Sequence, residues 1–190
     1  MARRLKFTDN LVLPPGNYPM TIAQLRASIL VTGKGIKCPD WDRKERLRLV
    51  NNLDALATQL WDAGITTIFI DGSFVECNDT PGDIDGYFEV PEREFVGLAA
   101  RLNRLGPFRR WTWSPTDKTT GPGTNDPKFP MWHQCQVELF PHWPGQGPCG
   151  IPDASGNPLE FPAAFRQQRG TFVAKGIVLL LPPKVHRVKR

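Results

Sequence analysis

Apolar residues between Asp40 and Ala63 recur at three- and four-residue spacings. Leu47, Val50, Leu53, Leu56, Ala57 and Leu60 fall on one helical face, and Gly64 stands as a C-terminal stop. Upstream, Leu13-Pro14-Pro15-Gly16 reads as a turn. Thr21-Ile22-Ala23-Gln24 has capping-box form ahead of Leu25, Ile29 and Leu30, which predicts a short helix over 21–31. After Gly64 the period changes. Ile65-Thr66-Thr67-Ile68-Phe69-Ile70 is β-branched and apolar enough for a buried strand, and Asp83 to Val90 alternates as a second strand. Pro91 and Glu92 open another helix, with Phe95, Leu98, Ala99, Leu102 and Leu105 on one face and Gly106-Pro107 at its end.

The second half is less regular. Ser114 to Pro130 is polar and rich in Gly and Pro, which predicts a long loop. Met131 to Phe140 contains a strand carried by Val137, Leu139 and Phe140; residues 141–160 return to Pro and Gly. Phe161 to Arg169 reads as a short helix, and Thr171 to Leu181 ends in a run suited to a buried strand. Helices and strands mixed in this way predict an α+β fold with a loop-rich second half. With no repeat and no linker, residues 1–190 read as a single domain, with 1–20 as an N-terminal extension and 183–190 as a basic tail.

Composition changes this picture mainly through charge. The formal net charge of +5 conceals a division: residues 51–100 carry 10 acidic and 1 basic group, and the blocks on either side are net positive. That is unlike a uniformly basic nucleic-acid coat protein, and it leaves room for a carboxylate centre in a basic surround. The basic residues Arg43, Lys44, Arg46 and Arg48 crowd the start of the long helix, against its dipole; a solvated face is the simpler account, an anion contact the alternative. The longest apolar run, Ile177 to Leu181, is too short to cross a bilayer, and the charged start develops no apolar signal region, so no membrane association or secretion is expected. Four cysteines, at 38, 77, 135 and 149, without a CxxC pair point to free thiols in a reducing cytoplasm.

The candidate chemistry lies in Asp71-Gly72-Ser73-Phe74, a spacer of nine residues from Phe74 to Gly82, and Asp83-Ile84-Asp85. Residues two apart on a strand share a face, so Asp83 and Asp85 project together, about 7 Å apart, while Ile84 turns inward. Such a pair suits a hard divalent cation, magnesium above all, which takes oxygen ligands and keeps places for water or phosphate. Gly72 and Ser73 at a strand end leave backbone amides and a hydroxyl open to a phosphate. A phosphate grip beside paired carboxylates points to metal-assisted phosphoryl or nucleotidyl transfer.

With these residues the sequence resembles the nucleotidyltransferase superfamily, the polymerase-beta-like minimal fold. Its pattern is a hydrophobic strand, Gly-Ser, a spacer and Asp-hydrophobic-Asp. More narrowly, Gly72-Ser73-Phe74-Val75 with Pro81-Gly82-Asp83-Ile84-Asp85, and the ending Lys175-Gly176-Ile177-Val178, is similar to a small bacterial and phage family assigned to that fold. The resemblance covers residues 60–180. It implies a mixed β-sheet flanked by helices and the transfer of a nucleoside monophosphate from an NTP to an acceptor hydroxyl on RNA, protein or a small molecule. Asp83 and Asp85 would bind Mg2+ or Mn2+, and Gly72 and Ser73 would hold the phosphates. Lys175, ahead of an apolar strand, reads either as a solvated strand start or as a phosphate contact. The superfamily's third carboxylate falls to Glu138, the only acidic residue between Asp126 and Asp153, although Asp is commoner there.

Other residues admit plainer readings. His133, Cys135, His142 and Cys149 form a conceivable zinc set, but their spacing is not that of a finger or ribbon. Trp111, Trp113, Trp132 and Trp143 offer stacking faces for a base, with packing the simpler account. The alternative to an enzyme is a non-catalytic binding module on the same fold, such as one half of a toxin–antitoxin or phage-defence pair. A purely structural protein leaves the ordered Gly-Ser and Asp-x-Asp pair unexplained.

Overall fold

The computed structural model describes residues 5–36, 40–106 and 109–183. The basic tail from Lys184, Cys38 and Pro107 of the expected helix stop lie outside the described residues. The elements follow in chain order as β1 (Asn17–Met20), α1 (Ile22–Ala27), α2 (Ile29–Thr32), α3 (Arg43–Asp62), β2 (Ile68–Asp71), a 3-10 turn (Gly72–Val75) and β3 (Ile84–Glu89). Then come α4 (Glu92–Phe95), α5 (Leu98–Leu102), β4 (Thr119–Gly121), β5 (Thr124–Lys128), α6 (Pro130–Cys135) and β6 (Val137–His142). The chain closes with β7 (Ile151–Pro152), β8 (Pro158–Leu159), α7 (Phe161–Ala164) and β9 (Ile177–Leu180).

The protein has an α+β fold built on a mixed five-stranded sheet, ordered β1-β9-β2-β3-β6. β1 and β9 are parallel, β2 is antiparallel to both β9 and β3, and β3 is parallel to β6. Side-chain alternation divides the sheet. Ile68, Ile70, Ile84, Phe88, Val137, Leu139, Val178 and Leu180 face the helical layer, where Leu49, Val50, Leu53, Leu56, Ala57 and Leu60 of α3 form the core. Phe69, Tyr87 and Ile177 turn to the opposite face, against Phe165 and the half-buried Phe140, Phe161 and Leu179.

Local chemistry explains the boundaries. At α1 the Thr21 hydroxyl accepts the Gln24 N–H (3.2 Å) and the Gln24 side chain accepts the Thr21 N–H (2.8 Å). The expected helix over 21–31 nevertheless breaks at Ser28, whose extended backbone ends α1 and whose hydroxyl accepts the Leu30 N–H to start α2. α3 begins where the Asp42 carboxylate accepts the Glu45 N–H at 2.9 Å. The helix expected after Pro91 divides into α4 and α5 at Gly97, whose φ is +80°. The expected loop over 114–130 contains the β4–β5 hairpin, which is polar, mostly exposed and without apolar alternation. The strand expected within Met131 to Phe140 is β6; the residues before it form α6, because Pro130 supplies an N-terminal turn and Gln136, with φ 51°, separates that turn from β6.

Two corrections bear on the site. Residues 5–20 are no mere extension: Val12 and Leu13 are fully buried and β1 completes the sheet. Cys77 is disulfide-bonded, whereas Cys135 and Cys149 are free, so the expectation of four free thiols, with its argument for a reducing compartment, does not stand. Among the described residues no helix is long and apolar enough to cross a membrane.

Arg46 is a third correction. It is fully buried, not part of a solvated face. Its Nη1 donates to the carbonyls of Leu30 (2.8 Å) and Phe74 (2.7 Å), and its Nη2 to those of Glu76 (3.3 Å) and Asn78. The guanidinium lies 3.6 Å from the Trp41 ring centroid, and burial lowers its pKa to about 9 against the pull of Asp79. One side chain thereby ties α2 and α3 to the loop joining β2 to β3. Arg46→Met leaves four carbonyls short of a donor and should cost about 3 kcal/mol in urea unfolding, with Arg46→Lys recovering less than half. A loss below about 0.5 kcal/mol for Arg46→Met would contradict this role.

Candidate functional site

β2 ends in Asp71, and the chain turns at once into Gly72–Val75. Antiparallel pairing sets Asp71 opposite Asp85, and parallel pairing sets Asp85 opposite Glu138. Three carboxylates therefore stand in one row across the central strands, on the face that also carries Phe69, Tyr87 and Phe140. Asp83, two residues before Asp85, extends the row toward the end of the sheet.

Gly72 is required where it stands. Its φ is +75°, and a Cβ there would lie 2.8 Å from Asp85 Oδ2 and 3.3 Å from the Asp85 backbone nitrogen. The Gly-Ser turn and the Asp-x-Asp strand are thus brought into direct contact, with Ser73 half-buried beside them. Gly86 lets β3 close on β2, since a Cβ would come within 2.2 Å of the Phe69 carbonyl oxygen.

Glu138 is buried, and both its oxygens are engaged. Oε1 accepts the Phe129 N–H at 3.2 Å, and Oε2 accepts from Lys128 Nζ at 3.0 Å. Asp83 Oδ2 accepts the Trp132 indole N–H at 2.8 Å and lies 3.7 Å from the same Lys128 Nζ. Burial, reinforced by Asp83, Glu138 and Asp71 and opposed by Lys128, pushes the Asp85 carboxyl up to about 7. Burial works against the charge on Lys128, but Glu138, Asp85 and Asp83 outweigh it, and its pKa lies above the usual value.

Lys175 serves the turn from beneath. It is 3% exposed, and its ammonium donates to the Gly72 carbonyl (3.3 Å), to Glu76 Oε1 (2.6 Å) and to Asp71 Oδ2 (2.9 Å). Its three N–H groups are therefore occupied within the protein, and in this structure it braces the Gly72 turn instead of reaching past it. Burial raises Asp71 to about 7 despite Lys175, and the Asp71 Oδ1 atom is buried without a hydrogen-bond partner. Lys175 is held in place by the next residue, because Gly176 packs where a Cβ would meet the Pro14 carbonyl oxygen at 2.4 Å.

The sheet thus brings together Gly72, Ser73, Asp83, Asp85, Glu138 and Lys175, the residues the sequence nominated for the metal and the nucleotide. It draws in Asp71, Glu76 and Trp132 beside them and adds Lys128. Asp71 had a signal, since it alternates with Phe69; Lys128 sits in a polar segment with none. The all-oxygen donor set and its charge, five carboxylates (Asp71, Glu76, Asp83, Asp85, Glu138) against two ammonium groups, fit a hard divalent cation. Among the described residues, no group of three or more His, Cys, Asp or Glu side chains is placed to hold a metal ion, and the Lys128 ammonium stands between Asp83 and Glu138 instead.

The nominated zinc residues are engaged separately. His133 Nε2 pairs with the Thr119 carbonyl (2.8 Å), Cys135 Sγ with Arg110 Nη1 (3.0 Å), and His142 Nε2 lies 3.9 Å from Glu160. Of the tryptophans, Trp111 and Trp113 pack together beneath the sheet and Trp143 packs on Phe95, whereas Trp132 reaches the site.

A family model described as a family of unknown function (DUF6932) matches residues 5–187. No curated protein and no solved structure matches the chain.

The raised carboxyls give a pH signature. Between the usual carboxylate range and about pH 7, the folded protein holds protons that the unfolded chain has released. Metal-free stability therefore falls as pH rises through that window and levels off above it. Asp85→Asn should be more stable than the parent at pH 8 in EDTA by about 1 kcal/mol or more, the gap closing near pH 4, as read by urea unfolding. A variant less stable at pH 8 would contradict the crowding of charge at Asp85.

Proposed function

We propose that this protein, which belongs to the DUF6932 family, is a metal-dependent nucleotidyltransferase that moves a nucleoside monophosphate from an NTP to an acceptor hydroxyl. The observation that carries the reading is the contact of the Gly72 turn with Asp85, in register with Glu138 on the adjoining strand. It joins a phosphate-type turn to a carboxylate set, the combination that nucleotidyl transfer requires. The Gly-Ser and Asp-x-Asp resemblance supports the same reading.

Asp83, Asp85 and Glu138 would hold Mg2+ or Mn2+, which when bound supplies charge neutralisation at the triphosphate and at the attacking and leaving oxygens. Gly72 and Ser73 would receive the β- and γ-phosphates through backbone N–H groups and the Ser73 hydroxyl. Glu138, anchored by the Phe129 N–H, keeps its position while the acceptor hydroxyl approaches. Lys175 fixes the turn by holding its first carbonyl and the flanking carboxylates. The basic blocks on either side of the acidic centre favour an anionic acceptor such as RNA, with a protein or small molecule as the other acceptor classes. A cytoplasmic setting suits NTP supply.

One observation favours a second reading. The Lys128 ammonium already balances Asp83 and Glu138, as it would in a non-catalytic module of this fold that serves as a toxin–antitoxin or phage-defence component.

Incubation with α-labelled NTPs, Mg2+ or Mn2+ and cell extract separates the two readings. Transfer of label to an acceptor is expected, with a loss of at least about a hundredfold in Asp83→Asn and Asp85→Asn. No label from any of the four NTPs, or equal label in the variants, would support the binding module and reject the enzyme.

A further inference from the structure

Lys128 is the last residue of β5, at the base of a hairpin that stands largely exposed. Its own side chain is 21% exposed, because it turns back from the hairpin into the row of carboxylates. The ammonium bonds Glu138 Oε2 at 3.0 Å, faces Asp83 Oδ2 at 3.7 Å and is coupled by charge to Asp85. These are the same three residues assigned above to the metal. Glu138 has one oxygen committed to the Phe129 N–H, so a cation can engage it through Oε2, the atom Lys128 occupies.

Resting on the metal-site reading of Asp83, Asp85 and Glu138, we propose that Lys128 is an internal counter-cation. It takes the place of the divalent ion in the metal-free protein, and the two exclude each other. The physical basis is positional. An ammonium and a divalent cation on one carboxylate oxygen repel strongly in a half-buried site, so entry of the metal requires departure of Lys128. The hairpin can release it without disturbing the sheet. Beyond Lys128 the hairpin meets the body chiefly at α6: His133 Nε2 pairs with the Thr119 carbonyl and hydroxyl, Gly121 and Gly123 pass close to His133 and Trp132, and the neighbouring Lys118 ammonium lies 4.6 Å from the Phe129 ring centroid. Lys128 also lies 5.6 Å from the Trp132 ring centroid, which offers the freed ammonium a nearby resting face. A released Lys128 stays tethered at the mouth of the site, where its charge faces an incoming triphosphate.

With the Lys128 ammonium between Asp83 and Glu138, no three of the described carboxylates are placed to hold a metal ion in this structure. That placement reconciles the two functional readings. The ammonium that makes the site look like an inert ion-pair network is the resting state of a metal site.

The test is Mn2+ binding followed by electron paramagnetic resonance and by the shift in melting temperature, in the parent, Lys128→Met and Lys128→Arg, with Asp85→Asn as a control. Lys128→Met should bind Mn2+ at least about tenfold more tightly than the parent and melt lower without metal, while Lys128→Arg, which keeps the charge, stays close to the parent. In the parent itself, Mn2+ should increase acetylation of Lys128 relative to Lys118, read by mass spectrometry; this measurement holds even where Lys128→Met fails to fold. Unchanged or weaker binding in Lys128→Met, or acetylation indifferent to Mn2+, overturns the proposal while binding lost in Asp85→Asn leaves the metal site standing. Binding that is absent from the parent and from Lys128→Met, or unaffected by Asp85→Asn, removes the metal-site reading and the proposal together.

Discussion

The structure depends on keeping carboxylates crowded at one end of its central strands. Asp71, Asp85 and Glu138 are forced into a row by strand register, with Asp83 beside them, and burial disfavours the charge on Asp71 and Asp85. Left uncompensated, such a row would be too costly to fold. Two lysines answer it from opposite sides. Lys175, brought in by β9, neutralises Asp71 and Glu76 below the turn, and Lys128, brought in by the hairpin, meets Asp83 and Glu138 above it. The lysines differ in what holds them. Lys175 is locked by three acceptors and by the close packing of Gly176, whereas Lys128 hangs from an exposed hairpin. One is a fixture of the fold and the other a replaceable partner.

Arg46 carries the same logic into the loop between the two halves of the motif. The nine residues from Phe74 to Gly82 have no regular strand or helix beyond the 3-10 turn, and their carbonyls need donors. The buried guanidinium supplies them to Phe74, Glu76 and Asn78 while remaining attached to α3. The spacing between Gly-Ser and Asp-x-Asp is therefore held by a residue nearly thirty positions upstream of the turn. Behind the row, Phe69 stacks on Tyr87 at 4.8 Å and Tyr87 on Phe165 at 5.9 Å. The carboxylates thus border an aromatic layer that keeps water from one side of the site.

Much of this was legible from local pattern. The period of α3, the strands β2 and β3 and the ordered Gly72-Ser73 and Asp83-Ile84-Asp85 were readable because their signals are local: apolar spacing, a glycine, and alternation along a strand. Glu138 could be nominated by its place in an apolar strand, and the strand register sets it opposite Asp85. The rest is set by contacts distant in sequence. Nothing near Arg46 distinguishes it from Arg43 or Lys44, since its burial is decided by carbonyls in another loop. β1 carries a proline and little alternation, and it becomes a strand because β9 offers it an edge. The β4–β5 hairpin is polar throughout, so its strands and Lys128 had no hydrophobic signature to read. In the sequence Lys175 reads as a solvated strand start or a phosphate contact; only the sheet shows that it is buried and already engaged beneath the turn.

The central claim is that this carboxylate row and the Gly72 turn form one site for a divalent cation and a triphosphate. The most direct test is a crystal structure with Mn2+ and a non-hydrolysable NTP, using anomalous scattering to locate the metal. The account predicts an anomalous peak bonded to Asp83, Asp85 and Glu138 Oε2, phosphates against the amides of Gly72 and Ser73, and Lys128 withdrawn from Glu138. A nucleotide bound elsewhere, or Mn2+ absent from the row with Lys128 still on Glu138, would contradict it.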